Sequence, residues 1–416
     1  FHADEGIRDF CLSRGLGDVY KRQVYDAMNG CLACKACATQ CPIHVDVPSF
    51  RSKFLQLYHT RYPRPIKDYL VGSTEKTGQI LSRFPGVSNA ILNSKISQKW
   101  IRRFGMRDVP EFSSQSLKKL QKLEKIPTWN EKAEVFNAKK SEQKRVILIQ
   151  DAFTSFYESG LIIEFYHLLK KLGLKVFLAP FHENGKPLHV KGFLNQFLKV
   201  AEKQASWLDK IASSGIPLVG IEPSVVLTYR DEYPEILMNE DLNFNVMLPQ
   251  EFLLEQLHLL QSHRLRESET FSLLGHCMEK TGASTSQDQW LEIFQALGQE
   301  LNLIEVGCCG MAGTYGHETE HFEESKGIYK MSWQKHCRGN SNLGNQLLVS
   351  GFSCRSQIER FENFRPLHPI QALNQMWKTF FSWNLKNQFN PSLYTYQKHK
   401  SEILRILDRY FSANNN

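Results

Sequence analysis

No run of apolar residues in this 416-residue chain approaches the roughly 18 that a membrane-crossing helix needs. The longest, GLIIEFYHLL from 160 to 169, is broken by Glu164 and His167 and is patterned as a helix. Nor does the chain open with the basic, apolar and small-residue succession of a secretory signal. Charge of one sign is scarce too. A net +8 is mild for this length, and the densest basic stretch, SLKKLQKLEK at 116 to 125, lacks interleaved aromatics, so no nucleic-acid partner is expected. These lysines read as solvated helix faces, or as a patch for an acidic partner or an anionic membrane surface. A cytoplasmic location is the expectation, with peripheral association at the inner face of the membrane as an added option.

The nucleotide-binding fingerprint G-x-G-x-x-G is missing as well. CCGMAGTYGHE (308–318) offers G-x2-G-x2-G with no acidic residue placed for a ribose, so a nucleotide reading is rejected. What the chain does have is sulfur. Ten cysteines in a cytoplasmic protein argue for metal or redox chemistry over disulfides.

Cys31, Cys34, Cys37 and Cys41 form C-x2-C-x2-C-x3-C-P, the run of bacterial ferredoxins. Two-residue gaps let a tight turn aim successive thiolates at neighbouring iron corners. Ala33, Ala36 and Ala38 leave room for the inorganic core, and Pro42 turns the chain away. A zinc site would more often space two CxxC pairs a dozen or more residues apart. A [4Fe–4S] cluster is therefore expected. In two-cluster ferredoxins the fourth cysteine serves the other cluster. With no second run in this chain, Cys41 either completes a lone cluster or serves a partner motif upstream. The next stretch, VDVPSFRSKFLQLYHTRY, reads as a helix capped by Asp46 with Pro48 in its first turn. Its apolar face, Phe50, Phe54, Leu57 and Tyr58, is expected to pack on the cluster.

From about residue 144 strands alternate with helices. VILIQ, KVFLAP and PLVGIEP read as strands separated by GLIIEFYHLLKKL, ended by Gly173, and by a helical stretch from 192 to 213. The scheme recurs with strands FSLLGHC, LNLIEVGCCG and NQLLVSGFSC. Successive βαβ units imply parallel sheets covered by helices. The strand ends of the second half carry Cys277, Cys308, Cys309 and Cys354, whereas those of the first carry Asp151, Pro180 and Glu222–Pro223. Carboxyl ends of parallel strands converge on a ligand crevice, so the four thiols are candidates for a metal or a second cluster. Single buried cysteines are ordinary core residues, and Cys337 is read as one. Gly310, Gly313 and Gly316 after the Cys–Cys pair would let backbone approach a bulky ligand. His276 and His317 flank the thiols as ligands, as hydrogen-bond donors that tune a potential, or as packed core histidines. Arg230, Asp231 and Glu232 in TYRDEY read as ordinary salt-bridging residues.

With both motifs in place, the second half resembles the cysteine-rich CCG domain of heterodisulfide reductase B subunits and glycolate oxidase iron–sulfur subunits. That pattern is Cys, a distant CCG, then C-x-x-C; Cys277, Cys308, Cys309 and Cys354 match, but Gly351 stands at the first cysteine of the last pair. A five-thiolate cluster is thus not expected, and a four-ligand cluster or zinc is. More closely, CKACATQCPIHVDVPSFRSKFL, QDAFTSFY, APFHENGKPLHVKGF, GIEPSVVLTYRDEY and VGCCGMAGTYGHE resemble the C-terminal part of FAD- and Fe–S-containing dehydrogenases of D-2-hydroxy acids, of the D-2-hydroxyglutarate or D-lactate type. The resemblance runs from about 24 to 378.

It implies an α/β fold: a small helical ferredoxin-type 4Fe-4S domain at 24–130, then a duplicated parallel-sheet cysteine-rich domain at 131–378, with halves 144–250 and 265–378. Residues 1–23, including Cys11, read as a non-native or disordered leader. Residues 379–416, with KSEILRILDRYF, read as a helical tail. The implied activity is an oxidoreductase acting on CH–OH groups, in which hydride passes to FAD on an upstream portion. Electrons then pass through iron–sulfur sites to a quinone, cytochrome or other acceptor, and this portion alone would not turn over the acid. Rival readings are a heterodisulfide-reductase-like disulfide reductase and a zinc- or cluster-holding redox-sensing scaffold.

Overall fold

The computed structural model describes residues 16–43, 45–130, 144–262, 264, 268–338 and 346–377. Cys11 and the KSEILRILDRYF pattern lie outside the described residues. The described residues up to Asn374 form one compact unit.

The first part is built of short helices. One of them, Leu16–Asn29, starts inside the stretch read as a leader. The helix after the cysteine run spans Val47–Tyr58. Asp46 caps it by accepting from Ser49 N at 2.9 Å, and proline stands in its first turn, as expected. Its apolar face is phased differently from the expectation. Phe54 is buried, but Phe50 and Leu57 are exposed, and Arg51, Ser52 and Leu55 turn inward instead. The cause is polar: Arg51 donates from Nε to Met28 O at 2.9 Å and from Nη1 to Val190 O at 2.7 Å, tying this face to two distant carbonyls. Gly192 closes over the same face; a Cβ there would lie 2.5 Å from Leu55 Cβ.

The α/β part has two parallel sheets. The first contains β1 (Arg145–Ile149), β2 (Lys175–Leu178), β3 (Leu218–Gly220) and β4 (Val246–Met247), in the order β2-β1-β3-β4. The second contains β5 (Thr270–Leu274), β6 (Glu300–Ile304) and β7 (Leu347–Val349), in the order β6-β5-β7. Each sheet therefore places its opening strand between the next two. Ile147 pairs with Phe177 on one side and Leu218 on the other; Leu273 sits likewise between Leu303 and Leu348. RVILI is apolar on both faces because helices cover both. The helix Ser159–Lys171 covers the first sheet and ends where Gly173 takes φ +80°, a left-handed stop that glycine adopts without strain. An apolar core built on Ile147, Phe177, Phe197 and Leu218 fills the first half; Leu274, Trp333, Val349 and Ile358 centre the second.

The strands are shorter than the sequence suggested. β5, β6 and β7 stop before the cysteines, so Cys277 opens the helix Cys277–Gly282, Cys308 and Cys309 lie in a loop, and Cys354 sits in the first turn of Phe352–Glu362. Past each strand end the chain turns to glycine or polar residues, Gly275–His276, Glu305 and Ser350–Gly351, and the backbone leaves the sheet there.

Candidate metal centre

Cys31, Cys34, Cys37 and Cys41 are all half-buried and unbridged. The turn that gathers them is left-handed at two non-glycine residues, Ala33 at φ +51° and Lys35 at φ +58°. Such backbone is costly and persists where surroundings over-determine it. Lys35 is the fastening. Its side chain is buried, and its ammonium pairs with Asp231, with Asp46 at 3.2 Å and with Glu232 at 3.4 Å. Burial opposes its charge, but the carboxylates of Glu232, Asp231 and Asp46 outweigh that and raise it above the usual lysine range. The TYRDEY residues are thus salt-bridging residues, with Arg230 on Glu251, and two of them pin the cysteine run to the α/β part. Ala33 N donates to Cys31 Sγ at 3.4 Å, and Cys41 N to Cys37 O at 3.1 Å.

The second group of thiols forms a contiguous series. Each of Cys277, Cys308, Cys309 and Cys354 acts on the titration of a neighbouring thiol of the group or is acted on by one. Donation from Cys277 and Cys309 holds the Cys308 thiol well below its usual range, and Gly310 N adds a bond to Cys308 Sγ at 3.3 Å. Hydrogen bonding to Cys308 and burial push Cys277 up; bonds to Cys308 and Cys354 and burial do the same for Cys309. Neighbouring thiols brought together from three separate elements are a donor set suited to a soft metal or an iron–sulfur core. Gly310, at φ +85°, admits no side chain: a Cβ would lie 2.2 Å from Ser325 O. Gln357 Nε2 holds the Cys309 carbonyl at 3.0 Å. Cys337 is buried in the core.

The two groups of thiols meet. Cys34 is raised by burial, with Cys308 the largest thiol charge acting on it, and Cys34 in turn acts on Cys277. The helix Cys277–Gly282 packs on Ala36–Gln40, and Thr281 Oγ1 donates to Cys34 O at 3.4 Å.

The flanking histidines differ. His317 is engaged: its Nδ1 bonds Asp108 and faces Arg360 Nη2 at 3.0 Å. His276 is buried beside Cys277, and its Nδ1 has no hydrogen-bond partner. Sequence reasoning missed a third group. Among the described residues, Glu318, Glu320 and His321 are the trio of donors within 4.8 Å of one another. Lys67 pairs with Glu318 at 2.6 Å and also with Glu320, and Lys191 meets Glu318 at 2.6 Å. These carboxylates are therefore neutralised by ammonium groups, and the trio works as an ion-pair node joining the helical part to the CCG loop. The matching strand ends of the first half carry no thiol. Asp151 accepts from Thr154 N at 2.9 Å, and Glu222 accepts from Phe352 N at 3.1 Å, at the start of the helix that carries Cys354.

No family model matches the chain. It is similar to large oxidoreductases of one kind: 45% identical over 364 residues to the D-2-hydroxyglutarate dehydrogenase of Pantoea ananatis, covering 86% of this chain and 35% of that protein. The Escherichia coli D-2-hydroxyglutarate dehydrogenase is 43% identical over 384 residues, covering 91% of this chain and 36% of its own length. A more distant likeness, 24% over 334 residues, is to a subunit of the anaerobic glycerol-3-phosphate dehydrogenase of Escherichia coli, and it covers 76% of this chain and 78% of that smaller protein. The chain thus spans little more than a third of the D-2-hydroxyglutarate dehydrogenases it matches. Among the described residues no helix is long and apolar enough to cross a membrane.

Proposed function

We propose that this chain is the iron–sulfur portion of a longer flavin-linked dehydrogenase that oxidises a D-2-hydroxy acid, D-2-hydroxyglutarate foremost, and delivers the electrons to an external acceptor. The observation that carries this reading is the meeting of the two thiol-bearing segments, with the helix Cys277–Gly282 packed on Ala36–Gln40 and Thr281 Oγ1 donating to the Cys34 carbonyl. A structural cysteine cluster has no need of a second one against it, whereas an electron route does. The likeness to D-2-hydroxyglutarate dehydrogenases supports the substrate class.

In this reading Cys31, Cys34, Cys37 and Cys41 hold a [4Fe–4S] cluster, and Cys277, Cys308, Cys309 and Cys354 hold a second iron–sulfur centre. Bound there, such centres supply one-electron carriage between a two-electron flavin and a one-electron acceptor. The donor sets fit: half-buried thiols around small residues in one, and neighbouring thiols with a backbone N–H on sulfur in the other. Ala33 N and Gly310 N offset thiolate charge. Lys35 fixes the left-handed turn that presents Cys34, and Gly310 keeps the loop bearing Cys308 against Ser325. The shared strand order of the two sheets supports a duplicated cysteine-rich domain that has kept thiols in one half. The FAD site belongs to the remainder of the longer chain, and the acceptor is a quinone, a cytochrome or a carrier protein.

The test is iron, acid-labile sulfide and zinc in the anaerobically purified chain, with EPR before and after dithionite. About eight irons and two distinguishable signals support the reading. About four irons with stoichiometric zinc would confine redox chemistry to Cys31–Cys41 and make the second thiol group structural.

A further inference from the structure

The thiols of the second site number four, and the position where the CCG pattern places a fifth is Gly351. No side chain fits there. A Cβ on residue 351 would lie 2.2 Å from His276 Cδ2, 2.8 Å from Cγ and 3.0 Å from Nε2. The His276 imidazole therefore fills the volume that a thiol at 351 would enter, on the residue directly before Cys277. The ring is 3% exposed, and its Nδ1 is buried with no hydrogen-bond partner. A buried ring nitrogen left unpaired costs free energy and calls for a partner. A neutral ring with its proton on Nε2 presents a lone pair at Nδ1. His317 offers no such nitrogen, because its Nδ1 is already held by Asp108.

We propose that His276 supplies, through Nδ1, a nitrogen ligand to the centre held by Cys277, Cys308, Cys309 and Cys354, in place of the thiolate that Gly351 excludes. The inference rests on the reading of those thiols as a second iron–sulfur site. Exchanging a thiolate for a neutral imidazole removes negative charge from the ligand shell and raises the reduction potential, as histidine ligands do in Rieske centres. The second site is then the better electron acceptor of the two, and electrons run from the Cys31–Cys41 side toward it.

The experiment combines isotope labelling with substitution at His276. The chain is labelled with 15N-histidine, purified anaerobically, reduced and studied by pulsed EPR, beside His276→Ala and His276→Cys. A nitrogen coupling that follows the isotope is expected in the unaltered chain. His276→Ala should lose about half the iron while retaining the ferredoxin-type signal, which also shows that the chain is folded. His276→Cys should keep its iron, with a lower midpoint at the second site. Unchanged iron and midpoint in His276→Ala would overturn the proposal and leave the second iron–sulfur site standing. Iron confined to the first cluster in the unaltered chain would overturn that site, and this proposal with it. Should His276→Ala lose both signals, the labelled spectrum decides, and a spectrum indifferent to the isotope rejects the ligand.

Discussion

Lys35 sits between the second and third cysteines of the ferredoxin-like run and is 6% exposed. A buried ammonium must find compensation, and Lys35 finds three carboxylates contributed by two separate segments, Asp46 and the pair Asp231–Glu232. Lys186 shares Glu232, and burial alone would raise that carboxyl, but the ammonium groups of Lys186 and Lys35 bring it down to about 2. Removing one partner of a buried charge cluster leaves the others desolvated and unpaired. Lys35→Met should therefore lower unfolding free energy by about 3 kcal/mol and loosen the left-handed turn. Urea denaturation and iron content of the variant check this together; full stability with full iron would show the lysine to be a bystander. The cysteines around Lys35 were legible in the sequence because their spacing is local and chemically specific. Lys35 itself was not, because its partners lie far along the chain. For the same reason Gly351 could be read as a missing cysteine, but not as the seat of the His276 ring.

The helix Phe352–Glu362, which presents Cys354, shows how an element is held against its neighbour. Arg355 donates to the Val349 and Ser350 carbonyls at 2.9 and 2.6 Å and pairs with Glu158 in the first half, which Arg365 also meets. Burial alone would raise Glu158, yet the two guanidinium groups bring it down to about 2, from an ordinary 4.5. A carboxyl whose folded pKa is depressed contributes stability above its unfolded value, and that contribution fades as pH falls from about 4.5 through about 2. The difference is worth on the order of 3 kcal/mol. Glu158→Gln should lose that much at neutral pH and flatten the acid limb between pH 5 and 2, as read from urea midpoints across that range. An unchanged acid limb would mean that other carboxylates govern it. At this scale sequence periodicity located every strand in the two sheets except the two-residue β4, yet misjudged where they end. It also misphased Val47–Tyr58, because Arg51 and Ser52 took buried positions that an apolar pattern assigns to Phe50 and Leu57. Hydrogen bonds to distant carbonyls decided that face, and periodicity carries no trace of them.

Among the described residues, exposed apolar side chains are densest in one part of the chain. Between Ile66 and Trp100 the short helices expose Ile80, Phe84, Val87, Ile91, Ile96 and Trp100, and Lys95–Arg103 has no buried residue. Exposed apolar side chains at that density mark an interaction surface more often than a solvated one. Under the proposed function, the occupant is the remainder of the longer dehydrogenase, of which this chain matches 35% and 36% in the Pantoea ananatis and Escherichia coli relatives. In that proposal a FAD-binding remainder would lie close to Cys31–Cys41, and these helices directly follow that run in sequence. Arg102 and Arg103 in the last turn of Lys95–Arg103 would add a salt-sensitive rim to an apolar contact. Co-produced with the upstream portion of such a dehydrogenase, the unaltered chain should elute as a complex. Phe84→Asp and Ile91→Asp together should dissociate it at least tenfold more readily, which corresponds to about 1.4 kcal/mol, without loss of iron from either thiol site. A complex unaffected by both substitutions would move the docking face elsewhere. Loss of binding to anionic vesicles in place of loss of the complex would assign these helices to a membrane surface.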